Sequence, residues 1–111
     1  MSAYKIAWLP GDGVGNEVME AARITLDALK LDAAYAHGDI GWEFWRTEGE
    51  SFPQRTIDLL AASDAAMFGA ITSKPVKAAE QELVPELQGK GLTYRSPIVR
   101  MRQMFDLYVC L

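Results

Sequence analysis

Short β-prone runs alternate with amphipathic helical stretches along this chain, and that alternation leaves few folds open. Residues 4–9 (Y-K-I-A-W-L), ended by Pro10 and Gly11, read as a first strand. A helix is expected over residues 16–30, with Asn16 as N-cap and Val18, Ala22, Leu26 and Leu29 as its apolar stripe. Glu20, Arg23, Asp27 and Lys30 take its other side, with opposite charges three or four apart. Residues 31–37 read as a second strand, and residues 42–48 as a short helix in a segment containing Gly and Trp. A further helix is expected from Phe52-Pro53 to about residue 62, with Ile57, Leu60 and Ala61 inward. Residues 65–70 (A-A-M-F-G-A) are apolar throughout, the pattern of a strand covered on both faces. Residues 71–94 carry too many polar, Gly and Pro residues for a steady element, apart from a helical turn at 77–83. A loop of that length in a compact domain is usually functional or mobile. Ser96 is expected to cap a helix with Pro97 at its first position, and residues 107–111 to form a last strand. The order predicts an α/β fold, a largely parallel sheet with flanking helices.

Composition narrows the function classes. At 111 residues the chain is at most one domain, and half of its residues are hydrophobic. The last strand has no turn after it, so the chain is expected to be the first part of a larger fold. No apolar run approaches the roughly 20 residues that span a bilayer. The single cysteine, Cys110, excludes an internal disulfide and suits a reducing cytoplasm; in an apolar strand it reads as an inert buried thiol. A formal net charge of −4 argues against a nucleic-acid surface. Yet Lys74, Lys77, Lys90, Arg95, Arg100 and Arg102 all fall in the last third, so a locally positive site can sit on an acidic body.

That site is expected at the last helix. A helix N-terminus beside guanidinium groups suits a small anion, because backbone N–H groups and Arg donors converge there. Ser96 stands at the start of the helix, and Arg95 and Arg102, seven apart, are expected along one side of it. A second candidate is Gly69-Ala70-Ile71-Thr72-Ser73-Lys74-Pro75, at the carboxyl end of a strand, where open α/β sheets place ligands. The Gly11-Asp12-Gly13-Val14-Gly15 turn invites comparison with the dinucleotide-binding glycine pattern, with Asp32 about twenty residues on. The third glycine falls one position early, however, and Asn16 stands in the expected slot. A turn needing positive φ, with Asp12 and Asn16 tying down backbone N–H groups, explains the glycines without a nucleotide. His37 reads as a surface residue, and Trp42, Phe44, Trp45 and Phe52 as core. No metal-ligand spacing is present.

Four blocks together resemble the isocitrate/isopropylmalate dehydrogenase family, the metal-dependent β-decarboxylating dehydrogenases of 3-substituted malates. They are L-P-G-D-G-V-G-N-E-V at 9–18, F-P-Q-R-T at 52–56, D-A-A-M-F-G-A-I-T-S at 64–73, and S-P-I-V-R-M-R-Q-M-F-D-L-Y-V-C-L at 96–111. The resemblance implies part of the large domain of a two-domain fold, made by both ends of a chain about three times this length. It implies NAD or NADP as cofactor, Mg²⁺ or Mn²⁺ as metal, a small 2-hydroxy acid as substrate and a homodimer for the full-length protein. Carried over by position, Ser96 and Arg102 would hold substrate carboxylates, with Arg95 beside them. Thr72 and Ser73, with Ala70 and Ile71, would lie against the nicotinamide end of the cofactor.

The family's metal ligands and its acid–base pair would lie beyond residue 111, so the chain alone is expected to be inactive. Ile98 stands where isocitrate members usually carry Asn, and Arg95 where isopropylmalate members usually carry an acidic residue. Arg95 and Arg100 lean the choice towards a tricarboxylate, isocitrate or homoisocitrate, over 3-isopropylmalate. Two other readings stay open at this point: a stand-alone α/β module that binds a carboxylate without catalysis, and a true Rossmann nucleotide binder.

Overall fold

A computed structural model of the chain describes residues 3–107. In chain order the elements are β1 (Tyr4–Gly11), α1 (Val14–Ala28), β2 (Ala33–His37), α2 (Trp42–Glu48), α3 (Gln54–Ala61), β3 (Ala65–Ala70), α4 (Val76–Gln81) and α5 (Pro97–Met104), with a 3-10 turn at Pro85–Leu87. The three strands form a parallel sheet in the order β2-β1-β3. The expected α/β architecture is present, and the strand at 65–70 and the helix at 42–48 fall where the sequence puts them. Leu107 is not in a strand; the rest of the strand expected over 107–111, and Cys110, lie outside the described residues.

β1 is central, and Ala7 and Leu9 are fully buried. Strand alternation sends Trp8 to one face and Leu9 to the other. α1 covers the Trp8 face, where its Arg23 guanidinium lies 3.9 Å from the Tyr35 ring centroid and 5.5 Å from that of Trp8. The Leu9 face carries a core of Leu9, Ile40 and Phe52, joined by Ile57 and Leu60 of α3, Phe68 of β3 and Met101 of α5. β3 departs from the expectation of a strand covered on both faces. Ala65 and Ala66 are exposed and the rest of the strand is half-buried, because it is the edge of the described sheet.

α1 also differs from the sequence reading. It begins at Val14 with Gly13 as N-cap, and Asn16 lies inside the first turn, where its Nδ2 donates to the Gly13 carbonyl at 3.3 Å. The buried positions are Gly15 and Met19, with Ala22 and Leu26 half-buried, whereas Val18 and Leu29 are exposed. The reason is steric. Gly15 seats directly on the backbone of β1 and β3, and this contact sets the rotation of the helix before its apolar stripe can choose. In α3, Ile57 and Leu60 do face the core, but Ala61 is exposed.

The chain leaves α1 through Lys30, just past the Leu29 C-cap, in the left-handed region at φ 53°. A side chain there costs about 1–2 kcal/mol that glycine avoids. Lys30→Gly should therefore raise the stability by about 0.5–1 kcal/mol, read as a higher midpoint in urea; a lower midpoint would show that the left-handed turn carries no such strain.

Candidate functional site

The carboxyl ends of β1 and β3 and the start of α1 open onto a cleft of about 630 Å³. Gly11, Asp12, Gly13, Asn16, Trp42 and Thr72 line it, with Glu43, Arg46 and Glu82 at its rim. Asp12 ties the cleft together. Its Oδ1 and Oδ2 accept the Trp42 backbone N–H at 2.8 and 2.9 Å, and Oδ2 also accepts the Thr72 backbone N–H at 2.8 Å. Its own N–H donates to the Ala70 carbonyl at 2.7 Å. The carboxylate reaches α2 only because residue 41 is glycine, since a Cβ there would stand 2.5 Å from Asp12 Oδ1. Asp12 thus ties down backbone N–H groups as expected, whereas Asn16 donates to a carbonyl instead.

Residues 71–94, expected as a loop with one helical turn at 77–83, form that turn as α4 and pack with the tryptophans into a second small core. Ala79 and Leu83 pack on Trp42, Trp45 and Tyr94, and Leu87 and Leu92 close over them. Trp45 Nε1 donates to the Ala79 carbonyl at 2.8 Å, and the Val84 N–H donates to the Arg46 carbonyl at 3.0 Å. At the neck of this excursion the Tyr94 hydroxyl donates to the Thr72 carbonyl at 3.1 Å and lies 3.0 Å from Ser73 Oγ. Trp42 and Trp45 belong to the core, as their composition implied; Tyr94 was not singled out by the sequence. No local pattern marks it, because Ala79, Leu83, Leu87 and Leu92 gather around it only once Trp42 and Trp45 are in place.

Charges around the cleft are mutually engaged. Lys74 Nζ lies 2.7 Å from Glu82 Oε2 and 5.4 Å from the Trp42 ring centroid, and Arg46 pairs with Glu43 at 2.9 Å. The Lys74 ammonium, assisted by the Trp42 indole N–H, holds the Glu82 carboxyl below the usual carboxylate range. That contribution is present above the usual value and lost as pH falls through the lowered one. Burial pushes the Tyr94 phenol up, with the Asp12 charge adding to the effect and the Ser73 hydrogen bond opposing it. A phenol raised by folding stabilises the fold below its ordinary value of about 10 and loses that contribution as pH climbs through the raised one. Alkaline titration followed by tyrosinate absorbance should accordingly show a tyrosine that ionises above that ordinary value as the fold is lost; absence of any such late ionisation would refute this.

Of the residues expected against the cofactor, Thr72 lines this cleft, whereas Ala70 ends β3, Ile71 is half-buried and Ser73 is exposed beside it in sequence without lining it. Ser96 is the N-cap of α5, but its side chain makes no capping bond, so the hydroxyl cap read from the sequence is not formed. Arg95 is exposed and precedes the helix, so helical spacing does not align it with Arg102. Arg102 lines a separate cleft of about 360 Å³ with Val99, Gln103, Asp106 and Leu107. Neither Ser96, Arg95 nor Arg102 lines the Thr72 cleft. Arg100 is ion-paired with Glu50 and lies 5.5 Å from the Phe52 ring centroid, which anchors α5 to the core. His37 is exposed, as expected, 3.7 Å from Asp39. Among the described residues no three His, Cys, Asp or Glu side chains converge as a metal site, and no helix is long and apolar enough to cross a membrane.

The chain is 48% identical over 104 residues to protein DlpA of Legionella pneumophila, covering 94% of this chain and 17% of that protein. It is 39% identical over 71 residues to the isocitrate/homoisocitrate dehydrogenase of Thermus thermophilus, covering 64% and 21%. It is 34% identical over 108 residues to the 3-isopropylmalate dehydrogenase of Methanothermobacter thermautotrophicus, covering 97% and 27%. Among solved structures, the TT0538 protein of Thermus thermophilus superposes with a TM-score of 0.70 at 26% identity, covering 92% of this chain and 18% of that one. The chain thus spans between about a sixth and a quarter of the length of these relatives. The sequence profile described as isocitrate/isopropylmalate dehydrogenase matches residues 5–111, and the chain belongs to that family.

Proposed function

We propose that this chain is the N-terminal part of the large domain of an NAD(P)-dependent oxidative decarboxylase of a 3-substituted malate, and that it is inactive alone. The observation that carries the reading is the Thr72–Ser73 turn at the carboxyl edge of a parallel sheet, held open beside the Gly11–Asp12 turn in a member of this family. Open α/β sheets bind ligands at that edge. On this reading Thr72, Ser73, Ala70 and Ile71 receive the nicotinamide end of the cofactor, which supplies the hydride acceptor. Ser96, Arg95 and Arg102 hold the carboxylates of a small 2-hydroxy acid.

The described residues offer no ligand set for Mg²⁺ or Mn²⁺, and the carboxylates nearest the cleft are already engaged by Trp42, Thr72, Lys74 and Arg46. No step through a metal is assigned to them. Isocitrate or homoisocitrate is the preferred substrate. Arg100 is taken by Glu50, and Arg95, which is exposed and enters no ion pair among the described residues, supplies the positive charge for an additional carboxylate. The enzyme is read as a cytoplasmic homodimer without nucleic-acid or membrane partners.

The test compares two polypeptides, this chain and a full-family-length enzyme containing it, each given NAD or NADP, Mg²⁺ and the three acids. The short chain should form no reduced nicotinamide. The long one should, with a higher kcat/KM for isocitrate or homoisocitrate than for 3-isopropylmalate. Turnover by the short chain, or preference for 3-isopropylmalate, would overturn the corresponding part.

A further inference from the structure

We infer that the Tyr94 hydroxyl is a positioning group that joins the Thr72–Ser73 turn to the start of α5, so that occupation of either segment is felt at the other. The inference rests on the function proposed above. Tyr94 is 8% exposed, with its ring clamped edge-on between Trp42 and Trp45, centroids 5.0 and 5.4 Å away. A phenol has one proton to donate. It goes to the Thr72 carbonyl at 3.1 Å, so the 3.0 Å contact with Ser73 is one in which the serine donates.

Tyr94 is followed at once by Arg95 and Ser96, and the Arg95 carbonyl accepts a hydrogen bond from the buried Ser51 hydroxyl at 3.3 Å. The joint is buried while the groups on its two sides, Thr72, Ser73 and Arg95, face solvent. That is the arrangement of a link between two binding segments. A ring held between two indoles cannot rotate away when the turn shifts, so displacement of the turn passes along the backbone to Arg95. Energetic coupling of this kind is reciprocal between the two ligands.

The experiment uses the full-length enzyme and nicotinamide fluorescence of NADH or NADPH, titrated with and without isocitrate or homoisocitrate. Both partners are then already reduced and no turnover occurs. The wild type should bind the reduced cofactor roughly fivefold or more tightly when the acid is present. Tyr94→Phe keeps the ring packing and removes both hydroxyl contacts, and should bring that ratio close to one. Ser73→Ala, which spares the Thr72 bond, should fall between. Thr56→Val removes a buried hydroxyl that donates to the Asp39 carbonyl, away from the joint; it should lower the Tm and leave the ratio at the wild-type value. A Tyr94→Phe ratio equal to wild type, loss of the ratio in Thr56→Val, or a wild-type ratio of one would each overturn the inference with the proposed function intact. Failure of the wild type to bind reduced cofactor at all would sink the proposed function and this inference with it.

Discussion

Gly15→Ala should destabilise the protein by at least about 2–3 kcal/mol, although the residue lies in a helix. Helix propensity alone predicts the opposite sign, a gain of about 1 kcal/mol from replacing glycine by alanine. The neighbours decide the outcome. A Cβ on Gly15 would stand 2.0 Å from the Pro10 carbonyl oxygen and 2.9 Å from the Ala70 nitrogen, both backbone atoms. No rotamer change relieves such a contact, so α1 must lift off the sheet or β1 must shift. Gly69 belongs to the same junction, since its Cβ would meet the Pro10 oxygen at 2.2 Å and the Gly15 oxygen at 3.0 Å. Gly13 supplies the contrast. Nothing lies within 4 Å of a Cβ there, and the objection is its φ of 48° with ψ −116°. Gly13→Ala should thus cost only backbone strain, about 1–3 kcal/mol, without disturbing the sheet. Urea melts of the variants check the order, and a Gly15→Ala protein as stable as wild type would refute the packing argument.

The same junction explains what could be read from the sequence. Strands 65–70 and 4–11 and the helix 42–48 are legible because their apolar runs and turn residues are local signals. The role of Gly15 was not. Its spacing departs from the dinucleotide pattern, and a turn needing positive φ accounted for the glycines, whereas Gly15 lies inside α1 without a positive φ. In the structure Gly15 performs close helix–strand packing together with Gly69, fifty-four residues away in sequence. Neither residue alone signals this, because close approach is a property of the pair. The second core failed to show for a related reason. Ala79, Leu83, Leu87 and Leu92 look sparse until Trp42 and Trp45 are placed opposite them. At the candidate site, Thr72 and Ser73 were legible from their position after a strand, whereas Tyr94 was hidden in a segment with no periodicity. The arginines show a further limit. Sequence spacing set Arg95 beside Arg102, but the helix starts at Pro97, and it is Arg100 that is drawn inward by Glu50.

Asp12→Ala should cost about 3 kcal/mol and detach the Thr72 turn from the sheet edge, since hydrogen bonds to a charged acceptor contribute about 1.5–3 kcal/mol each. Two backbone N–H groups lose their acceptor. That of Trp42 belongs to a residue only 7% exposed, so it has little water to turn to, whereas that of exposed Thr72 can be solvated. The damage should hence spread towards α2 and its tryptophans, not only towards the turn. Asp12→Asn separates charge from shape. With its carbonyl oxygen in the Oδ2 position it can still accept from Thr72, but its amide nitrogen then faces the Trp42 N–H, so the loss should be intermediate. A side chain at residue 41 is no remedy, because Gly41 sits at φ 124°, a conformation L side chains rarely adopt. Amide hydrogen exchange checks the pattern. Faster exchange at Trp42 and Thr72, with protection retained in β1 and β2, is the expected result. Uniform loss across the sheet would mean that Asp12 supports the whole fold and does not specifically hold the cleft.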